Sequence, residues 1–176
     1  MRDPHQNFFI DVPIYTAEDF IGILSVKKLT KKKSFDEYTV IPIPTDHSHE
    51  VVSQDYLIHK GKEKVLYMED MIWINKEYHK LLDNLTLVIT EASFIYKGKF
   101  VKRHKISNKL YDYVRVPNLL KFFRLFTNHL VLIHLWSSFY QNISEARKKL
   151  YNFEKEYKLG VCIGYDGMEI DTQDLK

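Results

Sequence analysis

The sequence predicts an α/β layer protein, and three observations predict it. The first half carries short β-branched and aromatic runs joined by tight turns, which is the pattern of antiparallel hairpins. The second half alternates short apolar runs with segments of helical period, which is the pattern of strands covered by helices. A chain of 176 residues, 45% hydrophobic and 28% charged, is one domain with a core of its own.

In chain order, residues 8–15 have strand content broken by Pro13. That suits an edge strand, because proline gives no N–H to a ladder. Thr16 followed by Asp19 reads as a capping box opening a short helix over 17–24. Five lysines between residues 27 and 33 read as a solvated loop or strand edge. Residues 38–43 are a β-branched strand whose irregular end is marked by Pro42 and Pro44, with 45–53 a loop. Residues 54–59 and 64–68 flank Lys60-Gly61-Lys62-Glu63, a hairpin with its glycine in the turn. Residues 77–84 read as a short helix with Leu81 and Leu82 inward, and 86–90 as a strand ending at Glu91.

The basic, aromatic stretch 94–113 has little periodicity and is expected to be a long excursion. Pro117 opens a helix at its first position. Val116, Leu119, Leu120, Phe123 and Phe126 recur at helical spacing, and Phe122 and Leu125 widen that face. Residues 130–134 are a central strand. Asn142 and Glu145 cap the last helix, with Ala146, Leu150, Phe153 and Tyr157 inward and Gly160 as its stop. Residues 161–165 form the final strand, closed by an Asp166-Gly167 turn.

Several function classes are disfavoured. A net charge of +3, from 26 basic and 23 acidic residues, is too mild to argue a nucleic-acid partner. The single cysteine, Cys162 between Val161 and Ile163, makes no internal disulfide and reads as an inert strand thiol in a reducing, cytoplasmic setting. The apolar run 8–10 is ended by Asp11, so no signal peptide is visible. The longest stretch without Asp, Glu, Lys or Arg, 125–144, contains Thr127, Asn128, His134 and Gln141 and does not suit a membrane span.

The chemistry centres on KVLYMEDMIWI, residues 64–74. Its apolar run stops at Glu69 and Asp70, which places acids at the C-terminal end of a buried strand, where ligands and metals gather. His47 and His49 lie upstream near another strand end, and His134 lies downstream at a third. His47, Asp70 and His134 form a candidate metal set: imidazole and carboxylate suit zinc, and an aspartate can bridge two ions. Plainer readings stand beside it. His47 and His49 also read as solvated loop histidines, Asp70 as a turn cap and His134 as a hydrogen-bonded core histidine. Glu91 reads as a surface acid at a strand end before it reads as a general base. Arg103, His104 and Lys105, beside Tyr96 and Tyr111, have the charge and rings to contact phosphate or RNA.

The order of the segments resembles the metallo-β-lactamase superfamily of metal-dependent hydrolases. The resemblance rests on IPIPTDHS with His47, SQDYLI, VLYMEDMIWI with Asp70, EASFI with a basic stretch behind it, LVLIHLWSSF with His134, and IGYDGMEI. It runs from about residue 13 to 170. It implies a partial αββα sandwich with mixed sheets and flanking helices, and one or two divalent ions, zinc foremost. By the same resemblance Asp70 is the bridging catalytic ligand, His47 and His134 each hold one ion, and the substrate is a small molecule or phosphoester.

The departures are as informative. The family's H-x-H-x-D-H segment is absent, the only histidine before His47 being His5. A Gly-His pair is replaced by Asp112-Tyr113, and a His-x-Gly-Ser run reads His134-Leu135-Trp136-Ser137. The expectation is a single truncated or degenerate domain that binds metal poorly and hydrolyses little alone. The alternatives are a non-catalytic subunit, completed by a second copy or another chain, and a phosphate- or RNA-contacting module.

Overall fold

The fold is that of a computed structural model, which describes residues 14–16, 26–48, 50, 52–95, 101–111, 113–135 and 137–175. β1 (Ile14–Thr16) and β2 (Val26–Lys28) make a small parallel pair. β3 (Lys33–Phe35), β4 (Tyr38–Asp46), β5 (Ser53–Lys60) and β6 (Glu63–Tyr67) follow as successive antiparallel neighbours. The β5–β6 turn has two residues, with Gly61 first at φ +60°. That backbone suits glycine and gives the twist a tight hairpin needs.

The chain then changes to parallel pairing, which requires crossovers. β7 (Trp73–Ile74) and a 3₁₀ helix (Lys76–Leu82) lead from β6 to β8 (Leu87–Ala92). A short hairpin, β9 (Lys102–Arg103) and β10 (Leu110–Tyr111), and helix α1 (Val116–Phe123) lead to β11 (His129–Leu135). α2 (Ser137–Gln141) and α3 (Ile143–Tyr157) lead to β12 (Gly160–Ile163). The main sheet is ordered β12-β11-β8-β6-β5-β4-β3, with β7 pairing the C-terminal end of β4 on the flank it shares with β3.

The core lies between one face of this sheet and the helices. Leu57, Leu66, Val88 and Leu132 meet Val116, Leu120, Phe123 and Ala146 there. Burying each of these Leu, Val and Phe side chains contributes roughly 1.5–3 kcal/mol. Strand alternation sends Ile58, Val65, Tyr67 and Ile89 to the other face. Among the described residues, two pieces cover that face in part. The β1–β2 pair reaches it through Tyr15, whose ring lies 5.3 Å from that of Phe35, and through Leu29, whose carbonyl accepts from the Gln54 amide. The C-terminal tail reaches it through Thr172, which donates to Glu63, and through a groove shared by Met168 and Ile170 with Leu87 and Val131. Tyr67, between them, is 38% exposed.

The α/β class and the partial αββα layering are as the sequence indicated; several details differ. β4 does not end at its prolines. The N–H of Ile72 donates to the carbonyl of Asp46, so even-numbered residues of β4 address the side away from β5. Pro42 and Pro44 share that parity and remove no bond from the β4–β5 ladder. Leu82 is buried but Leu81 is exposed, because the short helix is 3₁₀ and turns Leu81 outward. Leu125 is 69% exposed, since α1 stops at Phe123. Pro117 is the second residue of α1. α3 is stopped by Lys158 in the left-handed region, whereas Gly160 opens β12. A Cβ on Gly160 would lie 3.1 Å from His129 Nδ1, so glycine serves close strand packing there. The excursion over 94–113 contains the β9–β10 hairpin. The expected helix over 17–24, and residues 8–13 of the first expected strand, lie outside the described residues. Among the described residues, no helix is long and apolar enough to cross a membrane.

Candidate metal centre

β4, β6, β8 and β11 point the same way, so their C-terminal ends share one edge of the sheet. His47 follows β4, Asp70 follows β6, Glu91 lies near the end of β8, and His134 near the end of β11. The topology thus gathers residues that are far apart in sequence. His49 lies outside the described residues.

Asp70 stands between the two histidines. Its Oδ1 is 3.4 Å from His134 Nδ1, and its Oδ2 is 4.0 Å from His47 Nε2. Both separations exceed a normal hydrogen bond. Two ligand bonds of about 2.1 Å at a tetrahedral angle place their donors roughly 3.4 Å apart, so the Asp70–His134 spacing suits two ligands of one ion. The Asp70–His47 spacing is wider. Asp70 Oδ1 and His47 Nδ1 are buried with no hydrogen-bond partner, a state that a cation and an outer acceptor would relieve. Among the described residues, no group of three or more His, Cys, Asp or Glu could hold one ion. Asp70 thus lies near both imidazoles, with the donor spacing of a shared ion on the His134 side only.

His134 owes its position to a bulge. Ile133 pairs with Glu91 and Leu135 with Ala92, leaving His134 as the extra residue, at φ +51°. This left-handed backbone costs a non-glycine residue roughly 1–2 kcal/mol. Bulges break strand alternation and re-aim side chains next to functional sites. At 47% side-chain exposure, His134 is not the core histidine that the plainer reading allowed. His47 lies with its ring 6.3 Å from Tyr113, which in turn lies 5.5 Å from Phe94. Asp46, one residue earlier, accepts the N–H of Leu110 at 3.1 Å and ties the β9–β10 hairpin to this edge.

Two further acids sit behind the site. Asp55 on β5 is 5% exposed, with Oδ2 unpartnered. Burial pushes its carboxyl up to about 8, the charges of Asp70 and Glu91 add to the rise, and the Thr45 hydroxyl opposes it. Glu91 corrects the sequence expectation of a surface acid, because β8 continues past it and it is 0% exposed. Burial pushes it up to about 7; Asp70 adds to that, while the Ser93 hydroxyl and His134 oppose it. Sequence reasoning missed Asp55, although Asp55 and Leu57 share the inward parity of β5 and that alternation was visible.

The other candidates have local roles. Arg103 donates through Nη1 to the carbonyl and the side-chain oxygen of Asn108, and His104 pairs with Ser107, so both shape the hairpin turn. Burial raises the Cys162 thiol, with Glu154 adding to the rise, which keeps it protonated.

No family model and no curated protein matches the sequence. Solved structures do match the fold. A new diphosphatase from the PhnP family superposes with a TM-score of 0.56 at 13% identity, over 84% of this chain and 49% of its own. The metallo-β-lactamase fold protein YhfI from Bacillus subtilis gives 0.58 at 18%, over 89% and 63%. Zn(2+)-bound PqqB from Methylobacterium extorquens gives 0.54 at 10%, over 83% and 56%. This chain therefore spans about half to two thirds of the length of each. Its fold is the metallo-β-lactamase fold.

Proposed function

We propose that the chain carries part of a two-metal hydrolase site and acts on a phosphoester or related bond, weakly when alone. The observation that carries this reading is the Asp70 carboxylate set between His47 and His134, one oxygen toward each. Divalent ions, zinc foremost, would be held by His47 with Asp70 and by Asp70 with His134, and would polarise the scissile bond and a water molecule. Asp70 would be the ligand common to both. In the metal-free chain burial raises the Glu91 carboxyl to about 7, so it can hold a proton there beside Asp70 and His134. Two donors per ion, one of them shared, fall short of the three that a catalytic zinc usually has, so metal should bind loosely. A diphosphatase and a zinc-bound protein among the structural matches support phosphoester chemistry and zinc as first choices.

Metal analysis and zinc titration of the purified chain test this. Less than one tightly bound ion per chain is expected, with residual binding lost in Asp70→Asn. Two ions retained through a chelating column would overturn the loose site. Binding that Asp70→Asn leaves unchanged would overturn the site itself.

The sheet face opposite the helices favours a second reading, a non-catalytic subunit completed by other strands. Tyr67 is 38% exposed there and Ile58, Val65 and Ile89 are half-buried, which leaves an apolar strip suited to pairing. Sedimentation at increasing concentration checks it: self-association weakened by Tyr67→Lys supports pairing of copies, and a strict monomer in both removes it.

A further inference from the structure

Between β7, α1 and the β9–β10 hairpin lies a cavity of about 210 Å³, walled by Met71, Trp73, Val101, Leu110, Leu119 and Phe122. About 150 Å³ of apolar cavity is enough for a benzene ring, so a larger flat ring fits. Asn118, itself exposed, is the polar residue on the wall. Val101, 36% exposed, and Asn118 are the exposed residues of the wall, so the cavity opens between the hairpin and α1. The wall begins at Met71, the residue after Asp70, and the hairpin is tied by Leu110 to Asp46, the residue before His47. The cavity and the candidate metal centre are therefore neighbours.

The hairpin adds charge at the mouth. Residues 101–111 hold four Lys or Arg and no acid. Leu110 pairs with Arg103, and strand alternation puts Val101 on the same hairpin face. Arg103 thus shares the face of the two hairpin residues that line the cavity. Its Nη1 is anchored on Asn108, which holds the guanidinium in place while other N–H donors remain for an anion. A pre-organised guanidinium recognises phosphate well.

We propose that this cavity binds a flat aromatic ring carrying a phosphate, a nucleoside phosphate being the simplest case, with the ring against Trp73 and Phe122 and the phosphate on Arg103. This names the substrate class of the site under Proposed function and rests on that reading for hydrolysis, though not for binding.

The test uses Trp73 fluorescence in a Trp136→Phe background, with chelator present, titrated with adenosine monophosphate, adenosine and inorganic phosphate. Adenosine monophosphate should perturb Trp73 and bind at least about tenfold more tightly than either fragment. Arg103→Gln should weaken the monophosphate about tenfold and leave adenosine unchanged, and Arg103→Lys should recover part of the loss. Val101→Phe, which narrows the mouth from an exposed position, should weaken both. No Trp73 response to millimolar monophosphate would sink the proposal, as would equal affinity in Arg103→Gln or phosphate competing as well as the monophosphate. Chelation makes the result independent of metal. A chain that takes no zinc can still bind the nucleotide, and one that takes zinc without the nucleotide refutes only this inference.

Discussion

His134 is the residue at which local backbone and site chemistry meet. A left-handed φ in a bulge is tolerated by glycine and resisted by residues with a Cβ. If the ligand is held at that cost, His134→Gly should be more stable than His134→Ala by about 1 kcal/mol. Urea denaturation of the two metal-free variants measures the difference. Equal midpoints would mean that the bulge carries no strain. Asp55 and Glu91 make a second prediction at this scale. Both hold a proton more tightly when folded, near 8 and 7 against ordinary values of 3.8 and 4.5. The folded chain therefore binds more protons, and this contribution to stability is complete below about pH 4 and lost as pH rises toward 8. Urea midpoints of the metal-free chain should fall between pH 5.5 and 8.5, and Asp55→Asn should flatten that slope.

The elements follow rules visible in the chain, with identifiable exceptions. Asn142 accepts the N–H of Glu145, the N-cap expected from the sequence, while the Glu145 carboxylate takes the Asn142 side-chain amide rather than its backbone N–H. Asn142→Ala should cost about 1 kcal/mol of stability. Leu120→Ala, removing a fully buried α1 side chain from the sheet–helix core, should cost about 2–5 kcal/mol. Calorimetry separates the two magnitudes. Pro42 and Pro44 misled the reading of β4 because one strand flank carries the ladder and the other is free at those positions, and residue type alone does not say which flank a residue addresses. Leu125 lies outside the buried face because helical spacing continues in sequence after α1 has ended.

For the molecule as a whole, a ligand that binds only the folded chain stabilises it by mass action. Zinc at about 100 times its dissociation constant would add about 2.7 kcal/mol, or several degrees in melting temperature for a chain of this size. The melting temperature should rise with millimolar zinc, return with chelator, and fail to rise in Asp70→Asn. The sheet's two faces act at the same scale: helices bury the centre of one, whereas among the described residues the β1–β2 pair and the C-terminal tail cover parts of the other.

By itself the sequence determined the α/β class, the β5–β6 hairpin, the capped last helix and the identity of His47, Asp70 and His134 as candidates. Each of these is written in short-range pattern or in the order of segments. Tertiary structure decided which way the prolines of β4 face, that His134 sits in a bulge, and that Asp55 and Glu91 lie buried beside Asp70. Those outcomes depend on which strands become neighbours. Parallel pairing joins segments through long crossovers, so the distances and low-dielectric surroundings that set this site exist only once the sheet has formed.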